Sequence, residues 1–417
     1  MVTVAPASAV APRFASLRVA DYRRYFALGL LAMTADNIEH VISYWVIFQK
    51  FHSPTLGGFA VISHWVPFLL FSFHAGALAD RYDCRRLIQI SQALFMLASV
   101  TWGVLFLTDT LQVWHAVVIL LVHGAAGVIG APAAQLIVHD IVGATHLPSA
   151  IRLNASSRYL AILLGPAVGG GLMLALSPAG GLLANVLLYV PFVLLLVRLP
   201  YTGHAHATAQ PRTREGLTGA WRLLAQLRED RRLVTMLALG GISSFLVGNA
   251  FQAQMPEYAH DLGSDEAGLW YSLLLAGNAA GAILGTVLLE SVNVVRPGAR
   301  TAIVCAGAWG VTMAFFAVAT SYPVAVALLV LAGVFNLAFT SIAQTLVQLL
   351  APPRVRGRVV GLFNTAVLGL RAGSGVTVGV LGALVNVHWS LALSSALVVL
   401  TALGLFVFER RQAASMR

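Results

Sequence analysis

The chain is poor in charge. Only 10% of its 417 residues are Asp, Glu, Lys or Arg, against about 25% in a soluble domain, which excludes a water-soluble globular protein. Cysteine is scarcer still: Cys84 and Cys305 stand far apart, so no disulfide framework is expected. No phosphate-binding loop, zinc-type histidine pair or nucleophile elbow occurs, and no soluble domain is appended. An enzyme, a resident cofactor and a bound metal are therefore not expected. The first 24 residues contain Arg13, Arg18, Arg23 and Arg24 but no apolar core ahead of a small-residue cleavage site, so no cleaved signal peptide is expected. The formal charge of +10 is spread along the chain with no aromatic reading surface beside it. That argues against nucleic acid as a partner and suits membrane topology.

What is abundant is apolar sequence, 58% of the residues with a mean hydropathy of +0.82. Twelve apolar runs can be counted, each of roughly 18 to 25 residues and able to cross a hydrocarbon core of about 30 Å as a helix. The expected fold is an all-α membrane protein: a basic segment 1–24, a six-helix bundle 25–198, a central loop 199–232, a second six-helix bundle 233–408 and a tail 409–417. The inner loops then take Arg81, Arg85, Arg86, Arg152, Arg296, Arg300, Arg354, Arg356 and Arg358. The outer loops hold Lys50 with the acids Asp109, Glu257, Asp261, Asp265 and Glu266. By the positive-inside rule both termini are cytoplasmic, in the inner (plasma) membrane of the cell, and a monomer in the lipid bilayer is expected. In the central loop Leu217, Trp221, Leu224 and Leu227 recur at helical spacing, which predicts an amphipathic helix on the inner membrane surface. An offset of 210 residues sets Asp80 on Glu290, Arg86 on Arg296, Asn154 on Asn364, Gly165 on Gly375 and Gly169 on Gly379, as an internal repeat would.

The chemistry concentrates in Asp36-Asn37-Ile38-Glu39-His40. These residues put two carboxylates and an imidazole inside the first apolar run. Asp36, Glu39, His40 and Ser43 share one helix face, and that face should meet a protein interior or a wet cavity, because a charge in lipid costs at least ~2.5 kcal/mol. Two acids close together there suit proton binding and release. Arg371 lies in the eleventh run at a depth similar to that of Asp36, and its guanidinium needs a carboxylate, a ligand or water. Asp36, Glu39, His40 and Arg371 are therefore the candidate proton-coupling and cavity residues. His64, His123, Asn249, Gln252, Asn278, Asn336, Gln344 and Asn364 are weaker cavity candidates, each more simply read as an interhelical hydrogen bond.

Two further motifs follow. Gly76-Ala77-Leu78-Ala79-Asp80-Arg81-Tyr82-Asp83-Cys84-Arg85-Arg86-Leu87 joins the second and third runs. It resembles the signature loop of the major facilitator superfamily, with Asp83 where glycine is usual and Cys84 where a basic residue is usual. Gly76, Asp80, Arg81, Arg85 and Arg86 would form a cytoplasmic gate, Gly76 by allowing close helix approach and Asp80 by accepting from helix amides or an arginine. Gly165-Pro166-Ala167-Val168-Gly169-Gly170-Gly171 in the fifth run resembles the antiporter motif of the same superfamily, with Ala161 in place of its leading glycine. Gly165, Pro166, Gly169 and Gly170 are its candidate residues, and Gly277, Gly281 and Gly285 on the eighth run offer a matching smooth face. Tyr44-Trp45, Ser53-Pro54, Pro67 and Arg356-Gly357-Arg358 resemble the enterobactin-exporter-like branch, also called transmembrane secretion effectors. The resemblance implies a twelve-helix secondary transporter working by alternating access, an antiporter that exports a small organic compound of the drug or siderophore class against protons. A proton-coupled importer on the same fold, and a non-transporting membrane sensor, are the alternatives.

Overall fold

The computed structural model describes residues 14–204, 224–227, 230–263, 268–291, 298–352 and 356–415. Most of the central loop, Arg296 and Arg354 lie outside the described residues, as do Leu217 and Trp221, two of the four positions of the expected amphipathic helix; the other two, Leu224 and Leu227, lie in the helical stretch 224–227. Among the described residues every regular element is a helix. In order, the elements are α1 (Ala20–Phe51), α2 (Pro54–Arg81), α3 (Cys84–Leu107), α4 (Val113–Arg198), α5 (Arg231–Leu246), α6 (Ala250–Ala253), α7 (Met255–Asp261) and α8 (Leu269–Ser291). Then come α9 (Ala299–Ala317), α10 (Tyr322–Leu350), α11 (Arg356–Asn364), α12 (Arg371–Ser374), α13 (Leu381–Val385) and α14 (Val387–Ser415).

Among the described residues, ten helical stretches are long and apolar enough to cross a membrane. The helix α1, with Asp36 and Glu39 at its centre, is not among them, and 160–198 counts as one stretch although its backbone is interrupted. The run α4 is helical in name over 86 residues but leaves helical geometry at Gly143 (φ 66°, ψ 173°) and Ser177 (φ 67°, ψ 166°). Glycine takes a positive φ at no steric cost. Ser177 precedes Pro178, whose ring disfavours a helical residue before it, and its hydroxyl accepts from the Gly180 amide at 3.4 Å.

Local chemistry explains the other ends. His52 takes a left-handed φ of 44° to stop α1, and Ser53 then caps α2 by accepting from the Leu56 amide at 3.2 Å, with Pro54 at the first helical position. This pairing suits a helix start, where proline has no intrahelical bond to lose. Between α11 and α13 the chain makes two π-helical segments, Thr365–Gly369 and Gly375–Val380, on either side of the short α12 that begins at Arg371. Wide turns of this kind are frequent at functional sites.

The helices before the central loop pack on one another, as do those after it, and the two groups meet where α2 packs on the segment that holds Arg371 and Gly375–Val380 and where α4 packs on α8. There the Tyr271 hydroxyl donates to the Val41 carbonyl at 3.0 Å, the rings of Trp45 and Tyr271 stack at 5.7 Å, and Gln254 donates to the Pro54 carbonyl at 2.8 Å. The tightest crossing is backbone on backbone: a Cβ on Gly58 would stand 2.5 Å from the Gly375 carbonyl oxygen and 2.8 Å from the Gly379 Cα.

Candidate functional site

The apolar stripe of α1 is interrupted where sequence expects it, and each interrupting side chain has turned inward. Glu39 is 2% exposed. Its carboxylate accepts from the Ser99 hydroxyl at 2.7 Å and lies 2.8 Å from His123 Nδ1. Because the hydroxyl occupies one oxygen as donor, the carboxylate is left to accept the Nδ1 proton with the other. Asn185 completes the ring, donating to Ser99 Oγ at 3.3 Å and to the Ala35 carbonyl at 2.9 Å. One acid is thus held by α3 and by two separate stretches of α4.

Asp36 sits one turn away. Its Oδ1 is 3.1 Å from His123 Nε2, an ion-pair contact whose alignment falls short of a hydrogen bond. His40 donates from Nδ1 to the Asp36 backbone carbonyl at 2.8 Å, the ordinary helical i−4 acceptor. Its ring meets those of His64 and His123 at 5.0 and 4.7 Å. Asp36 also lines a cavity of about 290 Å³ that runs among α1, α3 and α4 and reaches Gln92, Gln135, Asn154 and Arg158. The acid that faces this space and the acid buried behind it share one imidazole, so a proton on His123 has carboxylates at both nitrogens.

Arg371 borders the cluster through α2. Its guanidinium carbon lies 5.1 Å from the Trp65 ring centroid, a cation–π contact, and that ring is 4.7 Å from the His64 ring. Trp65 in turn donates to Asn249 at 3.2 Å, tying α2 to the chain between α5 and α6. The imidazole 3.1 Å from the Asp36 carboxylate is that of His123.

The signature loop uses its residues unevenly. Asp80, Arg81 and Arg86 are exposed at the end of α2 and the start of α3, Arg86 donating to Gln89 at 3.2 Å. Among the described residues Gly76 has no neighbour within 4 Å of where a Cβ would stand, so none of them makes the close helix approach expected there. Asp83 explains its own departure from the family pattern. Its φ of −53° needs no glycine, its side chain caps α3 through the Arg85 amide at 2.9 Å, and it pairs with the Arg85 guanidinium at 2.6 Å. That bonding to Arg85 holds the Asp83 carboxyl below its usual range. Cys84 is buried, and its amide donates to the Thr202 carbonyl at 2.9 Å, fixing the start of the central loop. Asp83→Gly should therefore cost stability, about 0.5–1.5 kcal/mol from the lost cap and a part-exposed ion pair, read by thermal unfolding of the purified protein in detergent.

The second motif divides its glycines between two partners. Gly165 and Gly169 lie against Asn37, Ile38 and Val41 of α1, directly behind the carboxylates, while Gly170 meets Ser272 of α8 across the seam. Pro166 is buried and leaves the helix unbroken. The expected match with Gly277, Gly281 and Gly285 is corrected: that smooth stripe packs against Val326, Val330 and Val334 of α10, and a Cβ on Gly281 would collide with the Val330 carbonyl. Periodic small residues mark a face for close packing without naming its partner. Ser99 and Asn185 carried no sequence signal, since a single serine or asparagine in an apolar helix is ordinary; His64 and His123 were visible as polar interruptions only.

A family model described as transmembrane secretion effector matches residues 11–416. The multidrug efflux pump Tap of Mycobacterium tuberculosis is 25% identical over 356 residues, covering 81% of each chain. The staphyloferrin A transporter of Staphylococcus aureus is 22% identical over 177 residues, 42% of this chain and 44% of that protein. Among solved structures, a bacterial homologue of the human lysosomal transporter Spinster, in an inward-facing and unoccupied conformation, superposes with a TM-score of 0.70 over 94% of this chain and 97% of its own at 13% identity.

Proposed function

Given that the chain belongs to the transmembrane secretion effector family of the major facilitator superfamily, we propose that it is a proton-coupled antiporter exporting a small organic compound of the drug or siderophore class. Its fold and family are those of membrane transporters, and it is a multi-pass protein of the plasma membrane. The observation that carries the coupling is the shared imidazole: Glu39, buried, and Asp36, on the cavity wall, both reach His123.

In this reading the ten apolar helices, α1 as an eleventh and the break at Ser177 that yields a twelfth form two six-helix bundles rocking about a midplane site, with both termini cytoplasmic. The seam at Trp45, Gly58 and Tyr271 closes the outer side, and the 290 Å³ cavity opens towards the inner one. Gly76, Asp80, Arg81, Arg85 and Arg86 then meet the opposite bundle only when the inner side shuts. A proton entering from outside reaches Asp36 first and displaces bound substrate. It leaves inward while the fixed charge of Arg371 favours the ionised state of the cluster. The transported molecule binds as a monomeric carrier's cargo, with no cofactor.

The test uses inside-out membrane vesicles. An acid interior should drive uptake of an amphipathic dye or a siderophore, a protonophore should stop it, and Asp36→Asn should reduce it at least tenfold. Uptake of the same compounds by intact cells would identify an importer, and full gradient-driven flux in Asp36→Asn would remove that carboxylate from coupling.

A further inference from the structure

Three histidines from three places in the chain converge beside the carboxylates: His40 of α1, His64 of α2 and His123 of α4. Each offers one ring nitrogen, and the three nitrogens lie within 4.8 Å of one another. The tautomers follow from the neighbouring bonds. His40 spends its Nδ1 proton on the Asp36 carbonyl and His123 gives its own to the Glu39 carboxylate, so both present an Nε2 lone pair. Three buried atoms at this one spot, His64 Nδ1, His123 Nε2 and Asp36 Oδ1, have no hydrogen-bond partner among the described residues. Buried polar atoms are rarely left so, and three together point to a missing ligand.

We propose that this cluster is a binding site for a divalent transition-metal ion of the Zn²⁺ class, with His40, His64 and His123 as nitrogen ligands and Asp36 as the oxygen ligand. Imidazoles select such ions over Mg²⁺ and Ca²⁺, which require oxygen. A metal–nitrogen bond of about 2.1 Å sets tetrahedral ligand atoms about 3.4 Å apart, so rotations of the three rings that draw the nitrogens together by about 1.4 Å complete the site. Asp36 Oδ1, already 3.1 Å from His123 Nε2, stands at the required spacing from that one ligand, and a turn of its carboxylate towards His40 and His64 brings it to the other two. Behind the ligands Glu39 holds His123 through Nδ1 and is itself held by Ser99. That carboxylate–histidine arrangement fixes ring orientation and raises ligand basicity in metal centres. An ion reaches the site along the cavity that Asp36 lines.

The experiment is metal binding by the purified full-length protein in detergent with no ion gradient, so that its failure leaves the transport reading untouched. Titration with Zn²⁺ alone should saturate at one ion per chain and persist in excess Mg²⁺. His64→Gln and His123→Gln should each weaken binding at least 100-fold, and Glu39→Gln about 10- to 100-fold. The Co²⁺-loaded wild-type protein should show the absorption of a four-coordinate site with nitrogen ligands, a readout that needs no variant to fold. Absence of saturable Zn²⁺ binding, unchanged affinity in both histidine variants, or a Co²⁺ spectrum of oxygen ligands alone would overturn the proposal.

Discussion

Gly58→Val should abolish transport while leaving a folded, membrane-inserted protein. The Cβ it adds has nowhere to go: its neighbours at 2.5 and 2.8 Å are the Gly375 carbonyl oxygen and the Gly379 Cα, both backbone. A clash with a flexible side chain is relieved by a rotamer change, but this one requires α2 and the π-helical segment Gly375–Val380 to separate. Overpacking typically costs about 1–3 kcal/mol, and three added carbons at a backbone crossing put the cost at or above the upper end. Separating the helices disturbs the seam and spares the interior of either half, because Gly58 faces the opposite half rather than its own. The conformer with the seam shut is then disfavoured by about 100-fold or more. A carrier that must pass through that conformer on every cycle loses flux by the same factor, measured in the vesicle assay above. A single cysteine at Gln254, which bridges the same seam to the Pro54 carbonyl, supplies the second readout. Its labelling by a membrane-impermeant maleimide, over the background of Cys84 and Cys305, should be slow in the parent and fast beside Gly58→Val. Wild-type flux in Gly58→Val would show that this crossing does not have to form during transport.

The legible part of the site was its α1 face. Asp36, Glu39 and His40 recur at the spacing that puts them on one side of a helix, and a bilayer leaves such a face only protein or water to meet. The partners were illegible for a physical reason. His64 and His123 are lone polar residues in otherwise apolar helices, a pattern that an isolated interhelical hydrogen bond produces equally well, and nothing in a linear sequence states that helices 24 and 83 residues further on converge on His40. Ser99 and Asn185 were hidden by the same logic. The seam shows a related limit: Gly58 sits in a Pro54-Thr55-Leu56-Gly57-Gly58 stretch that reads locally as a helix start, and its steric meaning depends on glycines more than 300 residues away. The repeat offset paired Gly165 with Gly375 and Gly169 with Gly379, yet Gly165 and Gly169 pack on α1 while Gly375 and Gly379 pack on α2. Sequence symmetry preserved small residues at both places and left their neighbours to the tertiary fold.

Glu39 separates coupling from support most cleanly, through two substitutions with different expected outcomes. Glu39→Ala removes the acceptor of both the Ser99 hydroxyl and His123 Nδ1 from a position that is 2% exposed. An imidazole so deprived of its partner carries the penalty of a broken buried pair, about 3–5 kcal/mol, and the variant should unfold at a visibly lower temperature. Glu39→Gln keeps the volume and can keep both contacts, its carbonyl oxygen accepting from His123 and its amide donating to Ser99 Oγ, which has a second lone pair beside the one that accepts from Asn185. Its unfolding temperature should stay near that of the parent. What glutamine cannot do is ionise. If Glu39 carries the proton, gradient-driven flux in Glu39→Gln should fall at least 100-fold, within the range by which removing a positioned acid–base group slows a reaction, while substrate exchange without a gradient persists. If Glu39 only orients His123, the glutamine variant should transport normally and the alanine variant should fail in proportion to its lost stability. The same buried carboxylate is then a support for the imidazole, and Asp36, which faces the cavity, is left as the acid that meets the proton.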